Sequence, residues 1–185
     1  VQLHRQEYYA LITHLDQQIG RILDELKRSG QAENTYVVMV SDHGLACGQH
    51  GLMGKQNMYE HSLKAPLIVA GPGIPANKRI PTPVYVQDFV PTALEWAQVP
   101  RPTHVEFKSL LPLIRGEQSV QYELMYGAYE LNRQRMVRRG DNKLIYYPTI
   151  EKYEMYNLRA DPLELRNLSQ AAQHADFWRA QGGTA

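Results

Sequence analysis

The sequence predicts an α/β layered fold, with a parallel or mixed sheet, followed by a small antiparallel-sheet subdomain with a closing helix. Three observations carry that expectation. An amphipathic N-terminal stretch feeds directly into a short, unbroken strand-like run. A second such run, Pro66 to Ala70, is closed by Gly71-Pro72-Gly73. From about Val120 the texture changes to tyrosine-rich runs of strand length separated by polar turns. The expected division is therefore 1–118 for the α/β part and 119–185 for the subdomain.

The elements follow in order. Tyr8, Leu11, Ile12, Leu15, Ile19, Ile22, Leu23 and Leu26 recur at spacings of three and four, which places them on one helical stripe. Gly30 suits a left-handed cap at its end. Thr35-Tyr36-Val37-Val38-Met39-Val40 has no polar alternation, the texture of a buried parallel strand. Leu45 to Asn57 reads as glycine-rich loop, Gln87 to Ala97 as a helix with Pro91 in its first turn, and Ser109 to Arg115 as a helix stopped by Gly116. Leu124 to Ala128, Gln134 to Arg138, Lys143 to Tyr147 and Tyr153 to Tyr156 read as an antiparallel meander, with a hairpin turn at Gly140-Asp141-Asn142. Leu163 to Trp178 reads as the closing helix.

Composition narrows function. The 185 residues carry 20 Lys+Arg against 19 Asp+Glu, a formal charge of +1, so no one-sided basic field marks a nucleic-acid binder. No apolar run approaches the roughly 20 residues of a membrane span. The single cysteine, Cys47, excludes an internal disulfide framework and a cysteine-based zinc site. Nothing near it lowers a thiol pKa, so it reads as inert. The start at Val1, with no leader-like stretch, reads as that of a processed or truncated product.

Candidate chemistry gathers after the first strand. Asp42 and His43 follow its carboxyl end, the edge where α/β sheets collect ligands. A carboxylate oxygen beside an imidazole nitrogen is a usable pair of metal ligands, with Gly44 allowing a sharp turn. A capping Ser41-Asp42 with an exposed histidine is the alternative. Lys55, in the glycine-rich loop, could aim an ammonium at an anion or protonate a leaving oxygen. It could equally be a solvated lysine, as His50 could be a surface histidine.

In combination these pieces resemble a known family. The ordered series runs Tyr8-Tyr9-Ala10, Leu15-Asp16, Ile19-Gly20, Ser41-Asp42-His43-Gly44, then Gly48-Gln49-His50-Gly51-Leu52-Met53-Gly54-Lys55 and Tyr59-Glu60. It continues through Pro66 to Val69, Gly71-Pro72-Gly73, Asp88 to Thr92, Ser109 to Pro112, Arg115-Gly116-Glu117, Tyr156-Asn157-Leu158, and Asp161-Pro162 with Asn167-Leu168. The series resembles the C-terminal portion of the sulfatases, in the alkaline-phosphatase superfamily. The resemblance implies an alkaline-phosphatase-like fold and hydrolysis of a small-molecule sulfuric ester. It implies that Asp42 and His43 are metal ligands and that Lys55 contacts the sulfate, with His50 as a further candidate catalytic group. The implied metal is divalent: calcium by family, with manganese or zinc favoured by an imidazole ligand.

Family members carry a formylglycine nucleophile, made from Cys or Ser in a C/S-x-P-x-R motif, in an N-terminal half. That motif is not in this sequence; Cys47 is followed by Gly-Gln-His-Gly. The resemblance therefore implies a partner in the chain's own N-terminal half and an inactive isolated portion. A phosphonate or phosphate-ester hydrolase of the same superfamily, or a non-catalytic binding module, is the alternative.

Overall fold

The computed structural model describes residues 1–170, and for Leu131 and Asn132 the backbone alone. In chain order the elements are α1 (Gln2–Arg28), β1 (Val37–Val40), β2 (Ala46–Cys47), β3 (Met53–Gly54), α2 (Glu60–Leu63), β4 (Leu67–Ala70), α3 (Phe89–Trp96) and α4 (Leu111–Arg115). Then follow β5 (Met125–Tyr129), α5 (Glu130–Arg133), β6 (Gln134–Arg139), β7 (Asn142–Tyr147) and β8 (Lys152–Asn157). The chain divides into two compact units. One holds Val1–Asp42 and Ala65–Gln121; the other holds His43–Lys64 and Tyr122 onward.

In the first unit, α1 forms where the three-and-four spacing predicts. It closes with Ser29 N donating to Glu25 O at 2.9 Å, and Gly30 N donating to Lys27 O with φ at +73°. Lys27 and Arg28 in the last turn suit the negative end of the helix dipole. No residue of α1 is buried; Leu11 is 68% exposed and Ile22 67%. β1 and β4 pair antiparallel, Val37 opposite Ala70 and Val40 opposite Leu67. This corrects the reading of these runs as buried parallel strands: Met39, Val40 and Ile68 are exposed. An unbroken apolar run signals apolar neighbours on two faces, but it carries no information about strand direction.

The buried centre of this unit lies around α3 and α4. Asp88 is fully buried, and its two carboxylate oxygens accept the backbone N–H groups of Tyr85 at 2.9 Å and Lys108 at 3.1 Å. The Thr92 hydroxyl donates to Asp88 O and accepts from Leu110 N. These bonds fix the start of α3 beside the segment entering α4, where Leu110, Leu111 and Leu113 are buried. Gly116 ends α4 in the left-handed conformation, φ +83°.

The second unit is built on the predicted meander, a four-stranded sheet of order β5-β6-β7-β8 with every pair antiparallel. Gly140-Asp141 makes the two-residue turn between Arg139 and Asn142, with Gly140 at φ +56°. Met58, Met136, Ile145 and Tyr156 form the core, with Tyr59, Leu63, Tyr129, Tyr147 and Leu158 against it. The segment 43–64, distant in sequence, thus covers one sheet face. Gly127 keeps that contact close: a Cβ there would meet Met136 Cε at 3.1 Å and Met58 Sδ at 3.3 Å. The predicted closing helix is corrected over its described part, since 163–170 are turns and irregular backbone. Asp161 and Asn167 take up the backbone N–H groups there, offering a local alternative to helix. The remainder of that prediction, from residue 171, lies outside the described residues.

Candidate functional site

The two predicted metal ligands fall on either side of the unit boundary, which is the Asp42–His43 peptide. Asp42 is an exposed residue of the first unit, just past β1, where Ser41 N donates to Pro66 O at 3.3 Å. His43 opens the second unit. Its Nδ1 lies 2.9 Å from Gly44 O, and its Nε2 is hydrogen-bonded to Lys55 Nζ. An ammonium can only donate and a carbonyl can only accept. The imidazole is therefore the tautomer with its proton on Nδ1, presenting the Nε2 lone pair to the lysine. Two of the candidate side chains, His43 and Lys55, are thus brought together across twelve residues.

What holds them is the backbone around Gly44. Its N–H donates to Ser62 O at 2.8 Å, and a Cβ would stand 2.1 Å from His61 O. The residue is glycine because α2 passes so close; its φ is not in the left-handed region, contrary to the sharp-turn role predicted for it. The loop carrying Lys55 folds as the short β2–β3 hairpin, Ala46 opposite Gly54 and Cys47 opposite Met53. Cys47 is buried in it, in keeping with an inert thiol. Gly48, His50, Gly51 and Gly54 all have positive φ. This explains the glycine density of the loop and marks His50, at +54°, as a strained position.

His50 faces inward. Its Nε2 lies 2.9 Å from Leu163 O, and its ring stacks on Tyr59 with centroids 4.0 Å apart and planes 8° apart. Since the carbonyl is an acceptor, Nε2 carries the proton and Nδ1 keeps the lone pair. Half-buried His61 lies beside these rings, 5.7 Å from each. Burial, then His50 and Lys143, hold its pKa below the ordinary histidine value.

After Tyr59 the segment is tied to the sheet by charge. Lys143, fully buried on β7, places Nζ 2.9 Å from Glu60 Oε1 and 2.7 Å from Glu164 Oε1. The contact with Glu164 is an ion pair rather than a directed hydrogen bond. Glu164 Oε2 accepts from Glu60 N at 2.6 Å. Burial pushes the Glu164 carboxyl up, with Lys143 acting against it. Beside this, the hydroxyls of Tyr59, Tyr147 and Tyr156 donate to Glu154 Oε2 at 2.7, 3.0 and 3.2 Å. Lys152 Nζ donates to Oε1 at 2.7 Å. Burial alone would raise the Glu154 carboxyl, but the lysine and tyrosine bonds outweigh it and hold it below the ordinary value. Burial foremost pushes Tyr147 and Tyr156 up, so both remain neutral donors.

None of Lys143, Glu154 and Glu164 stands out in the sequence as a site residue. A signal existed for two of them: Lys143 and Glu154 occupy the same sheet face as Ile145 and Tyr156, where alternation calls for apolar residues. As to a metal, Asp42 offers oxygen and His43 offers the Nε2 lone pair now directed at Lys55. No group of three or more His, Cys, Asp or Glu side chains among the described residues could hold an ion. A calcium shell takes six to eight oxygen ligands, more than Asp42 and His43 could supply.

The fold defines a class before it defines a family. Solved structures of an alkaline-phosphatase-like kind superpose on nearly all of the chain. One is a complex with the substrate D-glucosamine-2-N,6-O-disulfate, with a TM-score of 0.79 and 30% identity over 91% of this chain and 37% of that one. Another, the phosphonate monoester hydrolase of Agrobacterium radiobacter, has a TM-score of 0.83 at 23% identity over 95% of this chain and 39% of that one, a likeness of fold. The family model for the C-terminal region of N-sulphoglucosamine sulphohydrolase matches residues 48–180, and a model for a protein of unknown function matches 1–89. Among curated relatives, the N-acetylglucosamine-6-O-sulfatase of Bacteroides thetaiotaomicron is 33% identical over 94% of this chain and 33% of its own length. The choline-sulfatase of Rhizobium meliloti is 34% identical over 92% and 34%. The chain belongs to the sulfatase family, and it spans about a third of the length of these relatives.

Proposed function

We propose that this chain is the C-terminal part of a sulfuric ester hydrolase and supplies half of its catalytic apparatus. The observation that carries the reading is the pairing of Lys55 with His43 in a chain of sulfatase sequence and fold. Lys55 is the ammonium that contacts the sulfate group. A sulfate monoester loads negative charge onto its bridging oxygen as the ester bond breaks, and a fixed ammonium at that oxygen lowers the barrier. Asp42 and His43 would hold a divalent cation, calcium by family; such an ion, when bound, neutralises sulfate charge. His43 would give a cation the Nε2 lone pair that Lys55 now holds, which would release the ammonium toward the sulfate. His50, with Nε2 committed to Leu163 O, could meet substrate only through Nδ1.

The nucleophile, expected as formylglycine, and the remaining cation ligands come from an N-terminal half that packs on this one. The exposed apolar stripe of α1 and the exposed side of β1 and β4 support that packing. The relatives are named for acting on different esters, so the substrate reading stops at small sulfate monoesters. The test is turnover. The complete enzyme should hydrolyse 4-nitrophenyl sulfate in a metal-dependent manner, and the 185-residue chain alone should not. Preference of the complete enzyme for a phenylphosphonate monoester would move it to the phosphonate branch. Turnover by the isolated chain would refute the half-site.

A further inference from the structure

The turn after β8 grips the Lys55 loop at both ends. At one end, Leu163 O accepts from His50 Nε2 at 2.9 Å. At the other, the Glu164 carboxylate accepts from Glu60 N at 2.6 Å while pairing with buried Lys143. Two adjacent residues thus hold positions 50 and 60, and Lys55 lies midway between them. Lys143 completes the grip by pairing with the Glu60 side chain at 2.9 Å.

The turn itself is fixed. Arg166 N donates to Asp161 Oδ2 at 2.8 Å, and Glu164 N to Asp161 O at 3.1 Å. Asn167 Oδ1 accepts from Met155 N, and Leu168 N donates to Met155 O, so the turn is bonded to the edge of β8. Glu164 is 2% exposed and sits at φ +57°, a conformation costly for a side chain of its size. A strained backbone, a buried carboxylate and a buried cation together cost free energy that a plain surface turn would not.

We propose that Glu164, with Lys143 and the Leu163 carbonyl, is a positioning device that holds the Lys55 loop at its catalytic geometry. The inference rests on the role of Lys55 proposed above. These residues touch neither substrate nor cation; they act by restricting where the Lys55 backbone can go, and displacement of a reacting group by about 1 Å can cost a factor of roughly 10².

The test uses Glu164→Gln in the complete enzyme, with two readouts. Amide hydrogen exchange of residues 50–60 should quicken by about tenfold or more, while that of 142–147 stays within about twofold. With 4-nitrophenyl sulfate, kcat should fall about tenfold with KM within about twofold. His50→Phe, which keeps a ring on Tyr59 but loses the bond to Leu163 O, should likewise quicken exchange at 50–60 and serves if the first variant does not fold. Unchanged exchange at 50–60 overturns the proposal, as does an equal rise across 142–147, which would mark a merely structural residue. Quickened local exchange with unchanged kcat also overturns it. If the parent enzyme turns over no sulfate ester, the proposed function fails, and the exchange result still decides whether the clamp exists.

Discussion

Two elements, α1 of the first unit and β7 of the second, treat their apolar residues in opposite ways. α1 carries a regular stripe of leucine and isoleucine and buries none of it. β7 buries Lys143 and Ile145 on the sheet face that segment 43–64 of the same unit covers, and Leu144 on the opposite face. The difference shows what amphipathic periodicity means. It states that a face is meant to be covered; it does not state that the cover lies within the same stretch of chain. The second unit finds its cover within itself and buries charge of both signs, each carboxylate and ammonium being met by partners.

The sharpest way to break this comparison is at Lys55, the group proposed to contact the sulfate. Lys55→Ala in the complete enzyme should lower kcat/KM by about 10² or more, the usual scale for loss of a charge-stabilising donor. A fall below about threefold would remove Lys55 from the site. Next come the interiors. Ile145→Ala should destabilise the second unit by about 2–5 kcal/mol, read from denaturant midpoints, since Ile145 is fully enclosed. Gly44→Ala should cost about 1–3 kcal/mol by forcing α2 away, in the manner of an overpacked core. It should also lower activity by displacing the adjacent His43.

Acid sharpens the comparison further. The Glu154 carboxyl is held below its ordinary value, so its contribution is present above the unfolded pKa, about 4.3, and is lost as pH falls below that toward the folded value. The stability gap between the parent and Glu154→Gln should therefore narrow between pH 6 and pH 3; a constant gap would show that Glu154 is not linked in this way. The smallest effect should come from the first unit. Leu11→Ala in the isolated chain should change stability by no more than about 0.5 kcal/mol, as at exposed positions generally. In the complete enzyme the same change should cost more, because the proposed N-terminal half covers that stripe. Equal costs in both would leave the stripe uncovered.

Much of this molecule was legible in its residues. The spacing of Tyr8 through Leu26 placed α1, and the tyrosine-rich runs after Val120 placed all four strands of the meander. Gly116 and Gly140 marked a cap and a turn because only glycine readily takes positive φ. The ordered motifs placed the family. The same motifs hid other roles: Asp88 and Thr92 are a capping network, and Asp161 and Asn167 shape a turn rather than start a helix. A short motif states which residues matter together without stating what they touch.

The sequence by itself determined the local periods and the turns, since these depend on residues near one another along the chain. Only the tertiary structure decided that β1 and β4 run antiparallel, that Gly44 is required by the backbone of α2, and that Lys143, Glu60 and Glu164 meet. Those outcomes depend on contacts between segments tens of residues apart. Burial then selects which charges are paired, and no local pattern encodes that choice.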